Sequence, residues 1–78
     1  MKLVETFPSV WASPDDVKTI YIDHRIDKLQ NLKTIKYKFQ AKIKLENGDT
    51  FLGKEFDTHE EAVQSVEPII QRLNAYRD

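Results

Sequence analysis

The 78-residue sequence has no cysteine, two glycines, three prolines and no apolar run longer than a few residues. Without cysteine the chain can form no disulfide, no thiolate metal site and no thiol nucleophile. The short apolar runs predict neither a membrane span nor a secretory leader, and a cytoplasmic protein is expected. With glycine only at positions 48 and 53, a Gly-rich phosphate-binding loop is excluded.

Charge and length narrow the class of protein further. Twelve Lys and Arg face thirteen Asp and Glu, for a net charge of −1. This balance excludes a generally cationic nucleic-acid or membrane binder, although not a local basic patch. Hydrophobic residues make up 40% of the chain and charged residues 32%, which is typical of a globular protein. The length allows one hydrophobic core, so residues 1–78 are expected to form a single domain.

Residues 35–45 alternate strictly between apolar and polar side chains. The odd positions carry Ile35, Tyr37, Phe39, Ala41, Ile43 and Leu45, and the even positions carry Lys36, Lys38, Gln40, Lys42 and Lys44. A period of two predicts a long antiparallel strand with one buried face. Asn47-Gly48 then favours a two-residue type I′ hairpin turn, with a return strand over residues 50–57.

The predicted turn sets the register of this hairpin. Ile43 would lie opposite Leu52, which puts Phe51 on the lysine-bearing face. The same register turns Lys54 toward the core, where its aliphatic stem could pack while the ammonium reaches solvent. A bulge at Gly53 is the alternative.

A helix follows the hairpin. Thr58 and Glu61 match a capping box, and Pro68 falls inside the apolar pattern that follows. Its apolar positions are Ala62, Val63, Val66, Ile69, Ile70, Leu73 and Tyr76. Their helical phase continues across Pro68, so one kinked helix is favoured over two.

Residues 17–26 complete the predicted sheet, because Ile20, Ile22 and Ile26 share one alternation phase. The expected fold is α+β, a three-stranded antiparallel meander packed on one C-terminal helix. Its parts are an N-terminal arm (1–16), the sheet (17–57) and the helix (58–77). Leu3, Val4 and Phe7 can add a short strand in the arm, and residues 27–32 are either a loop or a short helical turn.

The second face of the sheet is expected to be open and to carry the functional residues. These are Lys36, Lys38, Lys42 and Lys44, with Tyr21 and Phe51 from the neighbouring strands. Six lysines and no acid occur between residues 28 and 45. Lysines interleaved with aromatics contact phosphates and stack on bases, so nucleic acid is the leading partner of a non-enzymatic binding module. A solvated sheet face, on which lysines prevent aggregation, is the alternative.

Residues 35–73 resemble the second half of the arm-type DNA-binding domain at the N-terminus of tyrosine integrases. The matching pieces are the lysine-rich strand (36–44), the Asn47-Gly48 hairpin and the opening of the helix (56–62). The resemblance implies a three-stranded sheet that is backed by a helix and enters the major groove. It also implies that the DNA-facing positions are Lys36, Lys38, Lys42 and Lys44.

Titratable residues gather at the start of the helix: Asp57, His59, Glu60 and Glu61. Capping and the helix dipole account for them. A metalloprotease helix would need a second histidine at Val63. No metal site, cofactor or catalytic residue is therefore predicted, and His24 is expected to be a histidine at the edge of the core.

Trp11 lies between proline- and serine-containing segments. As the single tryptophan of a small domain, it is expected to close one end of the core. The alternative is that Trp11 and Phe7, together with Phe51 or a sheet edge, form a protein-interaction surface. A regulatory or inhibitor module, or a homodimer, would use such a surface.

Overall fold

The computed structural model describes residues 2–27 and 35–76 of the chain. Two short strands, β1 (Val4–Glu5) and β2 (Trp11–Ala12), precede a short 3-10 helix (Pro14–Asp16). Three longer strands follow, β3 (Val17–Ile26), β4 (Tyr37–Leu45) and β5 (Thr50–Phe56), and then the helix α1 (His59–Ala75). β1 and β2 pair as one antiparallel hairpin, and β3, β4 and β5 form an antiparallel sheet with β4 in the centre. The predicted α+β meander with a C-terminal helix is confirmed, whereas the connection predicted at residues 27–32 lies, beyond Asp27, outside the described residues.

The helix begins at the predicted cap. The Thr58 hydroxyl accepts a hydrogen bond from the Glu61 amide at 3.2 Å and donates one to the Glu61 carboxylate at 2.9 Å. α1 continues through Pro68, which confirms one helix rather than two. Its buried residues recur every three or four positions and are Ala62, Val66, Ile69 and Leu73.

The core lies between α1, one face of the sheet and the N-terminal arm. Ile43, in the middle of the central strand, is completely buried. The other members of this cluster are Val4, Phe7, Ala12, Val17, Ala41, Leu45, Val66, Ile69 and Leu73. The odd positions of β4 therefore face the helix, as the alternation predicts, but only over part of the strand.

The apolar face of β4 extends beyond the helix. Ile35 and Tyr37 were expected in the core, yet they are 58% and 43% exposed. The ten residues of β3 span roughly 33 Å at 3.3 Å per residue, and the 17 residues of α1 span about 25 Å at 1.5 Å per residue. The helix is thus shorter than the ribbon that it covers, and the far end of the β3–β4 pair stays exposed.

The turn between β4 and β5 differs from the expectation. The Gly48 amide donates to the Leu45 carbonyl at 3.0 Å, and the Leu45 amide donates to the Asp49 carbonyl at 2.8 Å. Three residues therefore form the loop, and Gly48 takes the left-handed conformation with φ 96°. This is a type I turn closed by a bulge, and the predicted two-residue type I′ turn is wrong.

The longer loop shifts the register by one residue. Ile43 lies opposite Phe51, so Phe51 packs against the core, and Leu52 points to the other face and is 62% exposed. A second irregularity lies in β5, between the residues opposite Gln40 and Lys42. Beyond it, Glu55 and Phe56 have the predicted partners, Gln40 and Phe39. The expected placement of Phe51 on the lysine face is therefore wrong, because the turn has one more residue than Asn-Gly predicts.

The second irregularity is the bulge that the sequence offered as an alternative at Gly53. A side chain at Gly53 would put its Cβ 2.7 Å from Cε1 of Phe7 and 3.0 Å from the carbonyl oxygen of Ala41. Glycine lets the arm pack directly on the β5 backbone. Lys54 is exposed, and its ammonium lies 5.8 Å from the centroid of the Phe56 ring.

The N-terminal arm folds back on the domain. Phe7 is only 7% exposed, and the Arg72 guanidinium donates to the carbonyls of Glu5 at 3.0 Å and Thr6 at 3.1 Å. The Val10 amide donates to the Phe7 carbonyl at 2.9 Å across a turn in which Ser9 has φ 63°. The Arg72 bonds link the β1–β2 hairpin to α1, and the Val10 bond closes the hairpin's own turn.

Candidate binding surfaces

The sheet face opposite α1, here called the charged face, carries the predicted lysines. Because cross-strand partners share a face, Tyr21 lies beside Lys42, and Arg25 lies beside Lys38. The full set on the three strands is Thr19, Tyr21, Asp23, Arg25, Lys38, Gln40, Lys42, Lys44, Thr50, Leu52 and Glu55. The structure thus brings three of the four predicted lysines together with Tyr21, and it places the acids Asp23 and Glu55 among them.

Those acids pair with the cations. Lys42 Nζ lies 2.6 Å from Asp23 Oδ2, and Arg25 Nε lies 2.8 Å from Glu55 Oε2. The ammonium of Lys38 pairs with the carboxylate of Asp57, just after β5. The charged face is therefore a lattice of ion pairs rather than a uniformly basic surface.

The pairing shifts the titration of both partners. The Lys42 ammonium donates to the Asp23 carboxylate and lowers the pKa of Asp23 below its ordinary value. The Arg25 guanidinium lowers the pKa of Glu55, and the Lys38 ammonium lowers that of Asp57. In return the pKa values of the two lysines are raised. Each acid is thus held in its charged form.

Two of the predicted lysines lie outside these pairs. Lys36 and Lys44 are exposed, and neither forms an ion pair with another residue in the described ranges 2–27 and 35–76. Lys44 lies at one end of β4, opposite Thr50, whereas Lys36 precedes the strand at its other end. The unpaired positive charge is therefore divided between the two ends of the sheet.

The alternative surface, made of Trp11, Phe7 and Phe51, is not contiguous in the structure. Phe7 is buried and Phe51 is half-buried against the core. Trp11 is 57% exposed, so the expectation that it closes the core is wrong. Its partner Glu5 is also on the outer side of the β1–β2 hairpin, because Val4 and Ala12 take the inner positions. Only the tryptophan of this set is available to a partner.

A row of aromatic rings occupies the far end of the helix-side face. The ring centroids of Tyr37 and Phe39 are 6.4 Å apart, and Phe39 stands edge-on to His59 at 5.7 Å. His24 lies 6.2 Å from Tyr37 and, although it shares the phase of Ile22 as expected, it is exposed. Alternation in the sequence does not reveal this surface, because it places the whole apolar phase of the strand in the core.

Two of the three acids at the start of α1 form contacts with neighbouring side chains. Glu61 bonds the cap residue and Asp57 pairs with Lys38. Within residues 2–27 and 35–76, no group of three or more His, Cys, Asp or Glu is placed to hold a metal ion. No helix in that same part of the chain is long and apolar enough to cross a membrane.

Comparisons with known proteins give no family for this chain. No family model, curated protein or solved structure matches it significantly. The resemblance to the integrase arm-type domain therefore stays a prediction.

Proposed function

We propose that this chain is a non-enzymatic protein-interaction module. The observation that carries the proposal is the ion-pair lattice on the charged face. Lysines that bind phosphate backbones gain affinity by replacing the counterions of the nucleic acid. Lys38 and Lys42 already have carboxylate partners in the free protein. A phosphate would have to displace those partners, which weakens the case for nucleic acid.

Exposed apolar side chains support a protein partner. Large side chains with substantial exposure are Leu3, Trp11, Tyr21, Ile26, Ile35, Tyr37, Leu52, Ile70 and Tyr76. Trp11 is presented by a hairpin that is fixed from below by Phe7 and Arg72. A tryptophan on a rigid support contributes a large contact area at a small cost in conformational entropy, and tryptophan is enriched at interface hot spots.

Nucleic-acid binding is the second candidate. Lys36 and Lys44 are exposed without an ion pair in the described part of the chain, and Tyr21 is half exposed on the charged face. These three residues could contact a phosphate and a base. They are few and they are spread along the sheet, which favours weak, salt-sensitive binding.

Two measurements on the same sample separate the candidates. Fluorescence anisotropy of labelled duplex and single-stranded oligonucleotides, at low and physiological salt, tests phosphate binding. Selection of a random peptide library on the immobilised chain, with light scattering to obtain its mass, tests peptide binding and self-association. We expect enriched peptides or a dimer mass, and no oligonucleotide binding at physiological salt.

A different set of results would support nucleic-acid binding instead. Oligonucleotide binding that falls with salt and is lost in Lys36→Glu/Lys44→Glu would favour nucleic acid, provided that no peptide is enriched and the chain is monomeric. Lys18→Glu is a control for net charge that reverses one charge instead of two, because Lys18 is exposed beside α1 and is not one of the predicted phosphate-binding positions. It changes the net charge without changing the predicted phosphate-binding positions.

A further inference from the structure

The sheet has a gap at one edge of its central strand. Pairing between β4 and β5 begins at Phe39 and Phe56. β4 itself begins at Tyr37, and its ladder with β3 continues outward to Lys36, whose carbonyl accepts from the Asp27 amide at 2.7 Å. The chain leaves the sheet after β5 because Thr58 caps α1. No other strand in residues 2–27 or 35–76 lies against this edge of residues 35–38, here called the notch.

The backbone direction at the notch follows from two hydrogen bonds. Successive residues of an antiparallel strand point their N–H and C=O groups to opposite sides. The Leu45 amide bonds Asp49, on the β5 side, and the Lys36 carbonyl bonds Asp27, on the β3 side. Odd positions of β4 therefore point toward β5. Ile35 and Tyr37 consequently direct their amide and carbonyl groups into the notch.

Side chains give the notch two different walls. On the helix side Ile35 and Tyr37 are exposed, and the Tyr37 ring lies next to the Phe39 ring. On the other side lie Lys36 and the Lys38–Asp57 ion pair. Together with Asp27 and Phe39, these residues line a cavity of about 660 Å³, which is within the range of sites that hold small ligands.

We propose that the notch binds an extended peptide segment of a partner protein as an added strand beside residues 35–37. The peptide residue opposite Tyr37 is apolar and packs on its ring. The residue opposite Lys36 is acidic, because that ammonium is exposed and forms no ion pair in the described ranges. The carboxylate that its charge influences, Asp57, is already paired with Lys38. Main-chain hydrogen bonds and alternating side-chain pockets are how strand addition achieves affinity and specificity. The inference rests on the proposed protein-interaction function and specifies its partner.

The geometry favours a peptide over a second copy of this chain. At one end the notch is closed by Asp57 and the start of α1. The edge that remains open covers only residues 35–38, about 13 Å at 3.3 Å per residue. A free extended segment enters such a space, whereas a rigid edge strand of another domain would meet the helix start.

The test compares two substitutions at Tyr37. Tyr37→Pro removes the amide that points into the notch without removing a ladder bond to β3, and proline is tolerated where an amide faces away from the sheet. Tyr37→Ala is the matched control, because it removes the same ring and keeps the amide. Peptides enriched on the wild-type chain should bind Tyr37→Pro about tenfold more weakly than Tyr37→Ala, through the lost hydrogen bond. They should alternate apolar and acidic residues, and Lys36→Glu should shift the selection to basic ones.

Amide NMR on the wild-type chain provides a readout that does not depend on a variant. Addition of an enriched peptide should shift the amide resonances of Ile35 and Tyr37 more than that of Trp11. Equal affinity for Tyr37→Pro and Tyr37→Ala, or shifts centred on Trp11, would refute the notch while leaving a protein-interaction function intact. Failure of the library to yield any peptide would also refute it. Salt-sensitive oligonucleotide binding without peptides would refute both proposals.

Discussion

Substitution of Gly53 by alanine tests the packing between the arm and the sheet. The added Cβ would lie 2.7 Å from Cε1 and 2.9 Å from Cζ of Phe7, which is too close for carbon atoms. Phe7 is buried, so its ring cannot swing into solvent. Overpacking of this kind costs about 1–3 kcal/mol, and alanine returns about 0.4–1 kcal/mol by restricting the unfolded chain. We expect a net loss of about 1–2 kcal/mol from these two terms.

Urea and thermal unfolding, followed by far-UV circular dichroism, measure this loss. A domain of this size loses roughly 4–8 °C in Tm for each kcal/mol. In a Phe7→Leu background the two clashing ring atoms are absent, so most of the cost of Gly53→Ala should disappear and the double-mutant cycle should show coupling. Gly48→Ala is the control, because its cost arises from the φ of 96° with nothing within 4 Å and should be the same in both backgrounds. Equal costs of Gly53→Ala in both backgrounds would refute the packing argument.

Two further predictions concern stability. Ser9→Gly should stabilise the fold by about 0.5–1 kcal/mol, because glycine adopts the left-handed φ of 63° without a Cβ penalty; an unchanged or lower urea midpoint would contradict this. The lowered pKa values of Asp23, Glu55 and Asp57 predict a loss of stability in acid. Their contribution is complete above the unfolded-state values near pH 4 and is lost as the pH falls through the lower folded-state values. In the triple variant Asp23→Asn/Glu55→Gln/Asp57→Asn, the urea midpoint should fall less steeply as the pH is lowered below about 4 than it does in the wild-type chain. An equally steep fall would show that these three carboxylates are not the source of the acid sensitivity.

Most of the fold could be predicted because its signals are local. The alternation of β4 and the capping box at Thr58 each depend on residues close together in sequence, and both elements form where predicted. The phase of the helix likewise passes Pro68 unchanged. Such patterns survive folding because burial and backbone hydrogen bonding both favour them.

The hairpin register could not be predicted from local signals. Asn47-Gly48 suits a two-residue turn, but the same glycine also closes a three-residue loop. The three-residue loop places Phe51 against the core and leaves Leu52 in solvent. Its compensating bulge is possible because Gly53 makes room for Phe7, a residue 46 positions away in sequence. Contacts between distant segments therefore decide whether Phe51 or Leu52 is exposed.

The candidate surface was predicted only in part, for a similar reason. Even-numbered lysines on an open face follow from alternation, and three of them lie there. Their acidic partners come from other segments, Asp23 on β3 and Asp57 after β5. Only the pairing of strands reveals that these charges meet, and so the local excess of lysine overstated the positive charge of the face.

The two irregularities of the β4–β5 hairpin have a consequence for how this sequence can tolerate insertions and deletions. The loop has one residue more than a two-residue turn, and the bulge adds one residue to β5 relative to β4. From Glu55 onward, the residues of β5 therefore have the cross-strand partners that a two-residue Asn47-Gly48 turn predicts. Deletion of Glu46 alone would leave a two-residue loop over Asn47 and Gly48, with Leu45 still opposite Asp49 and Ile43 still opposite Phe51. Deletion of Glu46 together with Lys54 would leave a regular hairpin with its base in place. Each irregularity can therefore be lost by itself without changing which side chains of the hairpin face the core, and the start of α1 remains in place.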